Sequence, residues 1–211
     1  MRQPIKLLPY FGSAERGGCN IARFKGLSVN CSHLGESWEL SAVPGKQSIV
    51  AEGDNAGMEL NLLVESQKGN LVGEGIYSLY GDKFPLCLRL VDSDDRLTVE
   101  IHHQADESCP SFMYYPETGK GEYVEELKDN RYFSVAREEV NGERRISNPH
   151  DSFMGLLCLE GEGKLKVDGI CTPVKKGETL LLPAPVNEFD VQGALTLLTV
   201  VALIPGVPSA V

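Results

Sequence analysis

From Tyr132 onward the chain is a succession of short apolar runs, at residues 132–140, 153–159, 164–167, 179–182 and 194–203. They are set apart by Gly142, Gly161, Gly163, Gly169, Gly177 and Gly193. Strand-length runs at nearly regular spacing, broken by glycine, are the signature of an all-β sandwich or barrel. The expected fold class is therefore all-β, or mainly β, in small barrel halves. Gly161-Glu162-Gly163 and Lys175-Lys176-Gly177-Glu178 read as β-turns, because neither has the strand-to-helix context that cradles a phosphate.

The first half is more mixed. Residues 38–43 and 48–51 are apolar-rich runs around Pro44-Gly45 and read as a hairpin. Met58, Leu62 and Leu63, then Leu71, Val72, Ile76, Leu79 and Tyr80, fall at helical spacing. One or two short helices are thus expected in the N-terminal part, covering one side of a sheet. Residues 84–91 and 97–102 follow as two strands. In the second, side chains alternate, so that Thr98, Glu100 and His102 share one face while Leu97, Val99 and Ile101 share the other. Residues 104–131 read as a connection ending in the acidic run 122–129. So long a structureless link is uncommon inside a compact domain. The expected division is an N-terminal lobe at 1–103, a condensed linker at 104–131 and a C-terminal β domain at 132–211.

With 211 residues, 42% of them hydrophobic, the chain can bury a sizeable core. Its 20 basic against 30 acidic side chains give a net charge of -10, which disfavours nucleic acid and anionic membrane surfaces as partners. A local basic pocket for a small phosphorylated metabolite is compatible with that average. No apolar stretch reaches the ~20 residues of a spanning helix, and the N-terminal apolar run is too short for a signal peptide. Cys19, Cys31, Cys87, Cys109, Cys158 and Cys171 are scattered without a CxxC pair. Reduced thiols and a cytoplasmic location are the expectation, with a disulfide framework as the alternative.

Glu100 and His102 are the sharpest chemical feature, since a carboxylate and an imidazole two apart on a strand can converge on one ion. Two ligands do not complete a catalytic metal site, which takes three protein ligands and an open position. The alternative is a polar strand face. Gln104 returns to that face, His103 points away from it, and His33 and His150 lie in polar turns. Arg89 interrupts an apolar strand, so it needs either an anionic ligand or a salt bridge to an acid such as Glu100. Trp38, beside Glu36 and Glu39, either lines a sugar site or belongs to the core.

Several strings together resemble the type I mannose-6-phosphate isomerases, zinc enzymes of the cupin fold. They are Gly35-Glu36-Ser37-Trp38-Glu39-Leu40-Ser41, Ser48-Ile49-Val50-Ala51, the stretch 84–102 and, in the C-terminal half, Tyr132-Phe133-Ser134-Val135, Leu159-Glu160-Gly161-Glu162-Gly163 and residues 176–184. The resemblance implies a cupin-like, jelly-roll form for the barrel halves. It places the family's glutamine and histidine zinc ligands on Glu100 and His102, its active-site lysine on Arg89 and the serine before the ligands on Thr98. Glu36 matches an acidic residue near the family's substrate pocket.

The family's glycine-lysine-threonine-glutamate stretch, its glycine-rich histidine motif and its catalytic arginine motif have no counterpart here. Further ligands for zinc would have to come from residues such as Glu107, Glu117 or His150. The resemblance implies a small sugar-phosphate ligand and, for an active member, interconversion of mannose 6-phosphate and fructose 6-phosphate. With ligands missing, the expectation is weak or absent zinc binding and an impaired enzyme, or else a noncatalytic cupin-type module that binds a sugar phosphate or regulates.

Overall fold

The computed structural model describes residues 2–28, 33–93, 96–103, 111–123 and 132–206. Among them thirteen strands and four short helices follow in the order β1 (Ile5–Leu8), β2 (Tyr10–Gly18), α1 (Asn20–Lys25), β3 (Leu34–Leu40), β4 (Ile49–Val50), α2 (Leu60–Gln67), α3 (Gly69–Val72) and α4 (Glu74–Tyr80). The chain continues through β5 (Leu86–Ser93), β6 (Arg96–His103), β7 (Ser111–Tyr115), β8 (Lys120–Tyr123), β9 (Phe133–Ser147), β10 (Met154–Val167), β11 (Ile170–Lys175), β12 (Thr179–Leu182) and β13 (Glu188–Ala202). The protein is mainly β, as the glycine-punctuated pattern requires.

Two antiparallel sheets result. The first has the order β4-β1-β12-β10-β13-β9, with β11 also paired to β10, and the second runs β2-β3-β5-β6-β7-β8. The centre of the first sheet is apolar on both faces. Leu157, Leu159, Leu181, Leu198 and Val200 face the core shared with the second sheet and the helices. The alternating Leu156, Cys158, Leu180, Leu182, Leu197 and Val201 face a second core. A strand dry on both sides needs a continuous apolar run, which is why 154–159, 179–182 and 195–202 do not alternate in polarity. Each fully buried leucine contributes about 1.5–3 kcal/mol relative to exposure.

That second core is closed by the sheet folding over itself. Gly142 pairs with Gly193, and Gly193 with Gly163, so glycines form a row across three adjacent strands. A Cβ at Gly193 would lie 2.5 Å from the Glu162 carbonyl oxygen, and its φ of 141° lies in glycine territory. Here β9, β10 and β13 bend and carry Val140, Ile146, Val167 and Val191 over the outer face. Gly142, Gly161, Gly163 and Gly193 are thus points inside long strands and not turns between short ones, a correction to the reading above. Gly177 does lie in a turn, between β11 and β12.

Other expectations also shift. The runs 38–43 and 48–51 do not form a hairpin: β3 pairs with β2 and β5, whereas β4 pairs with β1 in the other sheet. The helical part comprises three short helices after β4, broken at Gly73, where φ is 98° and a Cβ would meet the Asp151 carbonyl at 2.2 Å. Leu60, Leu63, Val64, Leu71 and Ile76 supply their buried faces, while Leu62 and Leu79 point to solvent. The boundaries anticipated at 103 and 132 are not those of the sheets, because β1 and β4 lie with the C-terminal strands. Part of the anticipated linker is a β-hairpin, β7 with β8, added to β6.

No helix among the described residues is long and apolar enough to cross a membrane. Cys87 and Cys158 are buried and Cys171 is exposed, none of the three in a disulfide, whereas Cys19 is disulfide-bonded. This corrects the expectation of reduced thiols throughout. Cys19 sits in the bend before α1, outside the apolar runs that make cysteine a packing residue, and it removes the cysteine argument for a reducing compartment.

Candidate functional site

Strict alternation on β6 buries Leu97, Val99, Ile101 and His103 and leaves Thr98, Glu100 and His102 half-exposed on the outer face of the second sheet. The register brings Trp38, Arg89 and Glu100 side by side on β3, β5 and β6. Glu36, also on β3, and Lys46, in the loop after it, complete the cluster.

Its hydrogen bonds converge on two carboxylates. Arg89 donates to Glu100 Oε2 from Nε at 2.9 Å and from Nη2 at 2.7 Å, and His102 Nε2 lies 3.0 Å from the same oxygen. The Nη1 of Arg89 reaches Glu36 Oε1 at 3.3 Å. Trp38 Nε1 donates to Glu36 Oε2 at 3.0 Å, and Lys46 Nζ approaches that oxygen at 3.4 Å. Lys46 Nζ and Arg89 Cζ lie 4.3 Å and 5.1 Å from the Trp38 ring centroid, within cation–π range. Burial pushes the Glu100 carboxyl up, but the His102 hydrogen bond and the charge and hydrogen bond of Arg89 outweigh it and hold the group below its ordinary value.

Of the two partners open to Arg89 in the sequence, the structure places the acid Glu100 against it. Thr98 lies on the same face, half-buried. Trp38 is buried, 8% exposed, with two cations over its ring. His103 is buried on the opposite side with Nε2 3.0 Å from the Tyr80 hydroxyl. Gln104 and Glu107 lie outside the described residues. Glu117 borders a cleft on the inner side of the sheet, together with the inward-facing Leu97. His150 sits in the loop between β9 and β10, its backbone amide on Asn148 Oδ1.

These donors do not fit a zinc ion. A carboxylate ligand lies about 2.0–2.2 Å from zinc, and an imidazole presents its bare nitrogen to the metal. Here a guanidinium caps the Glu100 oxygen and the His102 nitrogen is turned onto that same oxygen. Among the described residues, no group of three or more His, Cys, Asp or Glu side chains is placed to hold a metal. The cluster instead offers cations, an aromatic face and carboxylate acceptors, groups suited to an anionic, hydroxylated ligand.

Two features were not legible beforehand. One is Lys46, which only the path of the loop brings over Trp38. The other is Glu39, fully buried on the inner face of β3, where it receives Lys25 Nζ at 2.8 Å, Ser37 Oγ at 2.6 Å and Thr179 Oγ1 at 2.8 Å. Lys25 comes from α1 and Thr179 from β12, so this pair ties the helix and both sheets together. Nothing in the local sequence signals partners 14 and 140 residues away.

Comparison with known proteins gives a consistent picture. Residues 124–202 match the family described as mannose-6-phosphate isomerase, cupin domain. The mannose-6-phosphate isomerase ManA of Bacillus subtilis is 33% identical over 100 residues, 47% of this chain and 30% of that protein. The mannose-6-phosphate isomerase of Streptococcus mutans is 28% identical over 102 residues, 48% of this chain and 31% of that one. The chain thus matches less than a third of the length of the curated relatives. Among solved structures, the Bacillus subtilis mannose 6-phosphate isomerase superposes with a TM-score of 0.71 at 18% identity, spanning 94% of this chain and 99% of that one. A variant of the Salmonella typhimurium phosphomannose isomerase gives 0.75 at 11% identity, spanning 95% and 99%. At such identities the superpositions establish the fold. The family match covers β9 to β13, whereas Arg89, Glu100 and His102 lie outside it.

Proposed function

We infer that this chain, a mannose-6-phosphate isomerase-like protein of cupin fold, is a metal-independent binding module for a small sugar phosphate and not an isomerase. The observation that carries the reading is the Arg89 guanidinium on Glu100 Oε2, at 2.7 Å and 2.9 Å. Interconverting an aldose and a ketose phosphate means removing a proton beside a carbonyl, stabilising the enediolate and returning the proton to the neighbouring carbon. In the related isomerases this is metal-assisted chemistry. An arginine seated where the carboxylate would meet the metal supplies charge but no vacant coordination position.

As a binding face the same residues have plain roles. Arg89 and Lys46 pair with phosphate oxygens, each charge-assisted hydrogen bond contributing about 1.5–3 kcal/mol. Trp38, packed beneath Lys46 and Arg89, backs these two cations, while Glu36 accepts from sugar hydroxyls and Thr98 accepts or donates. Glu100 and His102 hold the guanidinium in place.

Trp38 is the single tryptophan and reports directly on this face. Titrating the chain with mannose 6-phosphate is expected to give a saturable change in its fluorescence, insensitive to chelator and lost in Arg89→Ala, with no turnover in a coupled isomerase assay. Absence of saturation, or turnover abolished by chelator, defeats the reading. The second reading, an isomerase, is favoured by the names of the relatives, and it requires donors beyond Glu100 and His102.

A further inference from the structure

A separate cleft of about 280 Å³ opens on the inner side of the second sheet, where its edge meets α1 and the strands of the first. We propose that this cleft is a second ligand site, built for a small anion carrying a phosphate group and distinct from the Arg89 face. The two are on opposite sides of β6: Leu97 lines the cleft, and its neighbour Thr98 faces outward with Glu100.

The charge balance of the cleft runs against that of the chain. Arg23, Arg137 and Lys176 line it against Glu117 and Glu160, in a protein of net charge -10. With Arg137 paired, Arg23 and Lys176 remain to attract an anion across from Glu117 and Glu160. Arg137 is satisfied, since its Nε donates to the Tyr114 hydroxyl at 3.1 Å and Nη1 pairs with Glu139. Arg23 and Lys176 make no ion pair among the described residues.

Both side chains are exposed, and each has one neighbour in the wall of the cleft. Asp92, buried beneath α1, accepts the Asn20 amide at 2.6 Å and its side-chain Nδ2 at 3.0 Å. The Oδ1 of the oriented Asn20 then accepts Arg23 Nη1 at 3.3 Å, leaving the rest of the guanidinium uncommitted. Lys176 Nζ lies 5.5 Å from the centroid of the Phe24 ring, a wall of the same cleft. Two exposed cations beside an apolar wall suit a phosphate on a short carbon skeleton.

The test is amide chemical-shift mapping of the full chain titrated with inorganic phosphate, and then with mannose 6-phosphate, at constant ionic strength. Saturable shifts are expected at Asn20, Arg23, Gly119 and Lys176, with affinity reduced at least tenfold in the double variant Arg23→Gln, Lys176→Gln. Lys164→Gln, which removes an exposed charge from β10 outside the cleft, and Arg89→Gln are expected to leave that affinity unchanged. Shifts that grow linearly without saturation, or an affinity unchanged in the double variant, overturn the proposal. Saturable shifts confined to the surroundings of Trp38 and Arg89 likewise overturn it while supporting the outer-face reading. Loss of the Trp38 response alone leaves the cleft standing and removes the other site.

Discussion

The two sheets of this molecule meet water differently. The centre of the first is dry on both faces, packed on one core toward the helices and on another that it closes over itself. The second is dry on one face only, and its outer face carries Trp38, Arg89, Glu100 and His102. Aliphatic side chains packed on both faces of its centre make the first sheet a source of stability. A half-buried ionic face, whose pairs contribute little net stability, makes the second a place for recognition. The family match falls on the first sheet's strands and the candidate chemistry on the second, so the match does not reach the residues of the candidate site.

The most severe way to break this division is at the joint between the sheets. Glu39→Ala removes the partner of the nearly buried Lys25 and leaves an uncompensated charge, a loss of about 3–5 kcal/mol. Urea denaturation measures it. A loss below 1 kcal/mol would mean that Lys25 escapes to solvent and that the joint is not held electrostatically.

A smaller effect separates the sheets themselves. Leu156→Ala, in the second core, is expected to cost about 2–5 kcal/mol through lost burial and the cavity left behind. His102→Ala, on the outer ionic face, is expected to stay within about 0.5 kcal/mol. Comparable losses from both, in the same denaturation experiment, would erase the distinction between a stability sheet and a recognition sheet.

The smallest effect sharpens the electrostatics of the outer face. Because the folded Glu100 carboxyl is held below its ordinary value, its contribution is complete above the unfolded carboxylate range and is lost as pH falls through the folded value. For a partly exposed ion pair it amounts to about 1 kcal/mol or less. Urea midpoints of the wild type and Glu100→Gln are expected to differ near neutrality and converge in acid. A gap that persists or widens at low pH contradicts the assigned direction.

Much of this was legible in the sequence, and the misses have physical causes. Period-two alternation over 97–102 fixes which side chains share the outer face, and a lone arginine in an apolar strand announces a partner. The glycines at 142, 161, 163 and 193 misled because glycine serves a turn and a mid-strand bend through the same freedom of φ. Only the register across β9, β13 and β10 shows that 142, 193 and 163 form a row. The helical periodicity at 58–80 was sound, but with two turns or fewer per helix it could not say that Leu62 and Leu79 face outward. Lys25 with Glu39, and Lys46 over Trp38, are products of the tertiary path.

Arg89 holds the Glu100 oxygen that a metal would need, which argues against zinc on the Glu100 and His102 pair. Isothermal titration of zinc into the metal-stripped chain tests it most directly, with His102→Ala as the control. The account predicts no saturable zinc binding attributable to the Glu100 and His102 pair, and the same weak heat in wild type and variant. Stoichiometric zinc binding by the wild type that disappears in His102→Ala would contradict it.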